Sequence, residues 1–474
     1  MLIIFIILSI VLSLAVLINK NRVILMIIST IYALSLVALS VYAYRHINEL
    51  DSLFFMFDPL AVILSSVLAV LIPFVFYFSD LYVTRHPSKP KYVSFYYAAL
   101  IMLTTAMICA YFAENFGVLW VSIEATTLFV SVLVFFDRTK AALEAAWKYL
   151  FVSSFGLAIA FAGILFLGIT AINSGITNLN MANLLSIADK MDTMWLKISF
   201  LLIFTGFSVK MSLIPLFAVA IDAKTIAPSP VNALMSTALV NVGFVGVFRI
   251  FTIIAHTDAK GWAQNILMVA GLVSIFIAAI QMIRVKRLKR LYAFSSMEHM
   301  GIVVVGLAVG GVGYYAAILH LVFHSLVKAG LFFQIGQIRQ FFKSFWLKDS
   351  GNYFRLNPIG ALAMILGAIS ILAIPPSGLF VSEFMVFKAM FISHHYISAI
   401  FILCLLTVII YVFSKFIFHF LFAQEPEGVV TKAFKVNSYE SITQFALFGL
   451  VIYLGINPPQ FFTDLIHAAV GILM

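Results

Sequence analysis

Long apolar runs follow one another along the whole chain, separated only by short polar stretches. Most reach about 18 residues or more, enough to cross roughly 30 Å of hydrocarbon as a helix. The pattern predicts an all-α integral membrane protein of about fourteen transmembrane helices. They fall near 2–19, 22–44, 58–79, 95–112, 115–136, 145–171, 196–220, 228–254, 263–283, 291–309, 313–341, 358–391, 397–422 and 440–470. The first run, Met1 to Ile18, lacks a basic leader and a small-residue cleavage pattern, so it is expected to remain as a helix. The longest connection, 172–195, is short and polar and leaves no room for a soluble domain.

Two of these runs carry breaks. The seventh reads FSVKMSLIPLFAVAIDA with Pro215 inside it, and the twelfth reads ILAIPPSGLFVSEFMVFK with Pro375, Pro376 and Gly378 inside it. Proline removes a helix hydrogen bond and clashes with the preceding turn. In lipid such freed backbone is tolerated only beside protein or a water-filled cavity. The breaks lie five helices apart, each beside a charge, Lys210 and Glu383. That spacing predicts two five-helix repeats, helices 4–8 and 9–13, inverted because the number per repeat is odd. The expected organisation is an N-terminal group over 1–94, repeats over 95–254 and 255–422, and a last helix within 423–474.

Composition agrees with a lipid solvent. Residues are 63% hydrophobic and 10% charged, and mean hydropathy is +1.11. A soluble domain carries about 45–50% apolar and about 25% charged residues. The net charge of +10 is not a nucleic-acid signal, because its sources are ordered by loop. Connections after odd-numbered helices hold Lys20, Arg22, Arg85, Lys89, Lys91, Arg138, Lys140, Lys224, the cluster Arg284, Lys286, Arg287, Lys289 and Arg290, then Arg339, Lys343, Lys348, Arg355, Lys432 and Lys435. Those after even-numbered helices hold Arg45, Lys190 and Lys260. The positive-inside rule then predicts both termini outside the cytoplasm. The two cysteines, Cys109 and Cys404, are too few for a four-thiolate iron–sulfur cluster.

Against this apolar background the buried charges are conspicuous: Glu124, Lys148, Lys210, His320, His324, Lys328, Glu383 and Lys388. Each costs roughly 2.5–3.5 kcal/mol at the bilayer centre, so eight unpaired would cost on the order of 20 kcal/mol. They must pair or meet internal water. A lysine whose carboxylate partner can be drawn away is a proton site of switchable affinity. His320, His324 and Lys328, at i, i+4 and i+8, share one helix face and predict a hydrated proton path, with no metal ligand set beside them. Lys148 and Lys388 read equally as path residues or as side chains snorkelling from helix ends. Glu298 and His299 read equally as the lining of a cytoplasmic opening or as caps of a loop.

The stretches SIEATTL around Glu124, VKMSLIPLF around Lys210, APSPVNALMS from Ala227, RLKRLYAFSSMEHMG up to Gly301, HSLVKAGLFF around Lys328 and PPSGLFVSEFMVFK around Glu383 occur in this order. Together they resemble the antiporter-like proton-pumping subunits of respiratory complex I, Mrp cation/proton antiporters and energy-converting hydrogenases. SSMEHMG and the acidic Glu383 most resemble hydrogenase-4 component F. The resemblance implies a switchable pair Glu124–Lys210, a central axis of His320, His324 and Lys328, and an exit-side proton site at Glu383. Two positions depart from the family pattern. Lys224 stands where a histidine is usual, and Asn241 stands where a bridging Lys or His is common, which leaves the link to the central axis to water or Ser236.

The reading that follows is a proton-translocating, or Na⁺/H⁺-exchanging, subunit of a hydrogenase, formate hydrogenlyase or complex I-like assembly in the prokaryotic cytoplasmic membrane. Such a chain carries no cofactor of its own. Iron–sulfur or nickel–iron centres belong to partner membrane and peripheral subunits, and nucleic acid is not a partner. An Mrp-type antiporter subunit, a proton conductor coupled to a non-redox partner such as inorganic-carbon uptake, and an inert anchor remain alternatives, the last opposed by the buried charges.

Overall fold

A computed structural model describes residues 1–86, 89–424 and 438–473. In chain order its α-helices are α1 (Leu2–Ile18), α2 (Arg22–Arg45), α3 (Pro59–Arg85), α4 (Pro90–Phe112), α5 (Phe116–Val134), α6 (Lys140–Asn173), α7 (Met181–Ser186), α8 (Thr193–Met211), α9 (Ala218–Ile226), α10 (Ser229–Ser236), α11 (Ala238–Ala255), α12 (Lys260–Arg284), α13 (Leu288–Val309), α14 (Val312–Phe342), α15 (Tyr353–Leu356), α16 (Pro358–Ile371), α17 (Gly378–Ile392), α18 (Tyr396–Phe422), α19 (Ser438–Ile456) and α20 (Gln460–Gly471). Among the described residues twelve helical stretches are long and apolar enough to cross a membrane, and Leu2–Ile18 and Pro358–Ile371 are shorter apolar helices.

Helix starts follow local chemistry. The side chains of Asn21, Asp58, Thr139, Asp192 and Ser377 each accept a hydrogen bond from a backbone N–H of the first turn that follows, satisfying donors that the helix itself leaves free. The helices differ in what covers them. Those of α11, α13 and α14 are buried all round, whereas α18 turns Ile397, Ile400, Tyr411 and Phe418 outward. An apolar outer face is what a hydrocarbon solvent requires.

The chain forms two compact units. One comprises Met1–Val231, Ala238–Asn265 and the chain from Asp464; the other comprises Asn232–Thr237 and Ile266–Thr463. The first contains the broken seventh span, α8 plus α9, and the second the broken twelfth, α16 plus α17.

The two breaks have the same backbone solution. Ser212 and Ala373, with φ of 60° and 49°, are left-handed. At the first, Ser212 N–H bonds Val209 O and Leu213 N–H bonds Ser208 O; at the second, Ala373 N–H bonds Ser370 O and Ile374 N–H bonds Ile369 O. Both are Schellman motifs, which satisfy the last carbonyls of a helix. Neither uses glycine, although a left-handed L-residue costs roughly 1–2 kcal/mol. A proline region follows each.

Several details depart from the sequence reading. The connection 172–195 carries the short α7, and Leu50–Ser52 pairs with Phe55–Met56 as a small antiparallel ribbon. The last span is not continuous, because Asn457, Pro458 and Pro459 separate α19 from α20. Lys224 and Lys289 were assigned to exposed connections, yet each is 1% exposed. The amphipathic stems of these residues let them bury within protein while the nitrogen finds a partner. Lys432 and Lys435 lie outside the described residues.

Candidate functional site

In the first unit, α6 and α8 cross closely at Gly206. A Cβ there would sit 2.5 Å from Gly156 O and 2.5 Å from Ala160 Cβ, so only glycine permits the approach. The crossing sets the hydroxyls of α6 beside Lys210 near the end of α8. Lys210 is 2% exposed. Its Nζ donates to Thr127 Oγ1 at 2.6 Å and to Tyr149 OH at 3.3 Å. Glu124, one turn before Thr127 on α5, accepts from Ser154 Oγ at 2.6 Å, and its Oε2 is buried without a hydrogen-bond partner among the described residues. Glu124 and Lys210 act on each other electrostatically, but no direct ion pair joins them. Each charge is held by hydroxyl groups instead, which the resemblance to a paired Glu–Lys did not convey.

Around the break, Lys224 Nζ donates to Ser212 Oγ at 2.9 Å, so a second buried lysine is tied to the left-handed residue that ends α8. Asn241, fully buried on α11, hydrogen-bonds Tyr111, whose OH donates to Ala238 O at 2.7 Å. Lys148 pairs with Glu144 at 2.5 Å on an exposed face of α6, apart from the Lys210 hydroxyls although its neighbour Tyr149 belongs to them.

The same unit holds a buried cluster that the sequence reading missed. Arg249 Nη2 donates to Asp58 Oδ2 at 2.7 Å and to Tyr111 O at 2.9 Å, and its Nη1 is 3.9 Å from Glu114 Oε2. Desolvation raises the Glu114 carboxyl above the usual carboxylate range, opposed by the Ala182 N–H and by Arg249. The signal was a lone arginine in an otherwise apolar run, VNVGFVGVFRIFTIIA.

In the second unit three helices converge. His299 on α13, His320 on α14 and Ser382 with Glu383 on α17 are 1%, 0%, 0% and 7% exposed. His299 Nδ1 is 3.1 Å from His320 Nε2, and His320 Nδ1 is 3.0 Å from Ser382 Oγ. Ser382 donates its own hydrogen to Leu379 O. Its oxygen therefore accepts from His320 Nδ1–H, which leaves Nε2 of His320 to accept from His299 Nδ1–H. The result is a directed chain from α13 through α14 to α17. His299 Nδ1 is also 3.7 Å from Glu383 Oε1, and His299 Nε2 is 3.5 Å from Glu298 Oε2.

The rest of the stripe runs along α14. The rings of His299 and His324 are 5.3 Å apart between centroids. Lys328 Nζ donates to Tyr292 O at 2.7 Å and to Ser295 Oγ, and Glu298 interacts electrostatically with Lys328 and Glu383. Glu298 and His299 are thus neither loop caps nor lining of an opening; they lie within α13 at the centre of the cluster. Ser236 belongs with this unit and is fully buried. Lys388 is exposed on α17. The expectation that no metal ligand set accompanies the histidines also changes. His299, His320 and Glu383 bring one donor atom each to within 4.8 Å of one another, from positions too far apart in sequence to announce themselves.

Comparison with known proteins accords with this architecture. Residues 113–410 match the family described as NADH:quinone oxidoreductase/Mrp antiporter, TM. A hydrogenase-4 component F homolog of Methylacidiphilum infernorum is 33% identical over 310 residues, 65% of this chain and 65% of that protein. The Na(+)/H(+) antiporter subunit A1 of Staphylococcus aureus is 26% identical over 416 residues, 82% of this chain and 51% of that protein. The chain therefore spans less than two thirds of the length of these relatives. Among solved structures, a chain of the archaeal membrane-bound sulfane sulfur reductase superposes with a TM-score of 0.87 at 21% identity, covering 100% of this chain and 97% of that one. A chain of the Mrp complex from Dietzia gives 0.85 at 16%, with 100% and 97% covered. A chain of Thermus thermophilus respiratory complex I gives 0.77 at 18%, with 97% and 98% covered. At these identities the superpositions establish the fold, and each neighbour is a component of a multisubunit membrane complex.

Proposed function

The chain belongs to the NADH:quinone oxidoreductase/Mrp antiporter transmembrane family, and from that premise we propose that it moves protons, or exchanges Na⁺ for H⁺, as one membrane subunit of a hydrogenase-type or complex I-like assembly. The observation that carries the proposal is the pair of matching helix breaks, each beside a buried ionisable group: Lys210 in the first unit and Glu383 in the second. Paired discontinuous helices in corresponding positions mark transport sites, because unwound backbone admits water to the middle of the membrane.

The first unit supplies a charge pair with each member held by hydroxyls. Thr127 and Tyr149 hold the ammonium of Lys210 while Ser154 holds Glu124. A shift of α5 against α8 changes the separation of the charges without first breaking a direct ion pair, and with it the affinity of the lysine for its proton. The second unit supplies a relay. A proton on His299 can pass to His320 along an existing hydrogen bond, and Glu383, beside the break, stands 3.7 Å from the same His299 Nδ1, where it can exchange a proton with the first member of that route. In this reading, water admitted beside the breaks supplies the remaining contacts.

The driving chemistry, with its iron–sulfur or nickel–iron centres, belongs in this reading to partner subunits. The residence is a prokaryotic cytoplasmic membrane, with both termini on its outer side. The Na(+)/H(+) antiporter relative favours a second reading, exchange powered by an ion gradient. Subunits that purify with the chain separate the two: a nickel–iron or iron–sulfur protein supports the first, and its absence supports the second. Ion movement itself is tested by Lys210→Ala in sealed vesicles carrying the assembled complex. Transport should fall to background with assembly intact, and wild-type flux would remove Lys210 from the path.

A further inference from the structure

We propose that His299, His320 and Glu383 form a three-ligand site for a divalent transition-metal ion of the zinc type, within the cluster assigned above to ion movement. The geometry is close to what such an ion requires. Zinc takes imidazole nitrogen and carboxylate oxygen at about 2.0–2.2 Å in a tetrahedral arrangement, which sets neighbouring ligand atoms about 3.3 Å apart. Here His299 Nδ1 and His320 Nε2 are 3.1 Å apart, and His299 Nδ1 and Glu383 Oε1 are 3.7 Å apart. All three donor atoms lie within 4.8 Å of one another, so a small rotation of the Glu383 side chain completes the triad.

An acceptor also stands near the outer nitrogen of each ring, made into a hydrogen bond at His320 and only approached at His299. A metal-bound imidazole generally gives its other N–H to a carboxylate or another acceptor, which fixes the ring and its tautomer. His320 already does so: Nδ1–H donates to Ser382 Oγ, leaving Nε2 as the ligand. His299 has Glu298 Oε2 3.5 Å from its Nε2. When the ion binds, the hydrogen on His299 Nδ1 moves to Nε2 and faces that carboxylate. Three protein ligands leave a fourth position for water, the pattern of an open rather than a closed site. The ligands come from α13, α14 and α17, so an ion bridging them ties the half-helix after the break to its neighbours. It also occupies the nitrogen through which a proton would pass. This last consequence rests on the transport reading above; the metal site does not.

The test uses the whole assembled complex in detergent. After exposure to Zn²⁺ and removal of the excess, one equivalent should remain bound, and zinc-edge X-ray absorption should show two imidazoles and oxygen in a four-coordinate shell. Co²⁺ in its place should give the strong visible absorption of a tetrahedral ion. His299→Gln and Glu383→Gln should each weaken binding at least tenfold, Ser382→Ala should weaken it about tenfold, and His394→Gln, on an exposed turn, should not change it. A first shell without two imidazoles overturns the site. So does unchanged stoichiometry in the His299→Gln/His320→Gln double variant. The absorption measurement on the unmodified protein keeps the test decisive if a variant fails to assemble. Zn²⁺ should also slow ion flux in sealed vesicles. Binding with unaltered flux supports the metal site and counts against this cluster as part of the ion path, whereas absence of binding overturns the site and leaves the transport reading standing.

Discussion

Thr127→Val is a sharp probe of the first unit because it changes one hydroxyl to a methyl of nearly the same size. Lys210 Nζ makes two described hydrogen bonds, to Thr127 at 2.6 Å and to Tyr149 at 3.3 Å, and Thr127 is the shorter. A hydrogen bond to a charged group contributes about 1.5–3 kcal/mol. Valine removes that from the charged lysine and leaves the lysine's own burial unchanged. At about 1.4 kcal/mol per tenfold, the equilibrium constant for holding the ammonium at this position falls roughly 10- to 150-fold. If the protonated lysine is an obligatory state, ion flux through the assembled complex should fall by at least about tenfold. Thr127→Ser restores the acceptor and should restore most of the flux. The assay is ion uptake in sealed vesicles, with subunit content checked in the same preparation. Flux within twofold of wild type in a fully assembled Thr127→Val complex would refute the hydroxyl-mediated arrangement.

Glu383→Gln should assemble normally and lose ion transport, whereas Glu383→Asp should keep part of it; near-normal flux in the glutamine variant would mean that the residue serves the half-helix only as a polar cap. Arg249→Met removes the cation shared by Asp58 and Glu114. Breaking a buried pair this way costs about 3–5 kcal/mol, so the thermal midpoint in detergent should drop clearly, and an unchanged midpoint would show that the cluster is dispensable. Single cysteines at positions 2 and 472 should react with impermeant reagents in intact cells, and protection of both would reverse the assigned topology.

Helices were legible in the sequence because lipid imposes one rule on every span: apolar residues for its full width. The two interior breaks were legible for the same reason, since proline is conspicuous in such a run. The site was legible in part. Lys210, His320 and Lys328 stand out as charges in apolar surroundings, and all are buried. What escaped was juxtaposition. His299 and Glu298 follow a basic cluster, which made them resemble loop residues, but the two turns of α13 beyond Arg290 carry them inside. Lys224 looked like a cytoplasmic loop charge because it falls between two predicted spans, yet α9 folds it back onto Ser212. Arg249 was hidden by the strength of the run around it. None of the hydroxyls that hold Glu124 and Lys210 is unusual by itself; the close crossing at Gly206 brings α6 and α8 together around them.

The meeting of α17 and α19 has a bearing on how freely the end of this protein can vary. A Cβ on Gly455 would lie 2.5 Å from Gly378 Cα, and one on Gly378 would lie 2.6 Å from Val451 O. Gly378 is the first residue of the half-helix that carries Glu383 five positions later. The last long helix thus acts as an abutment against which that half-helix is seated. A methyl group at position 455 would displace the carboxylate without touching it. Mutational tolerance in α19 is therefore expected to track transport rather than stability alone, although Gly455 is remote from every ionisable group of the site in sequence.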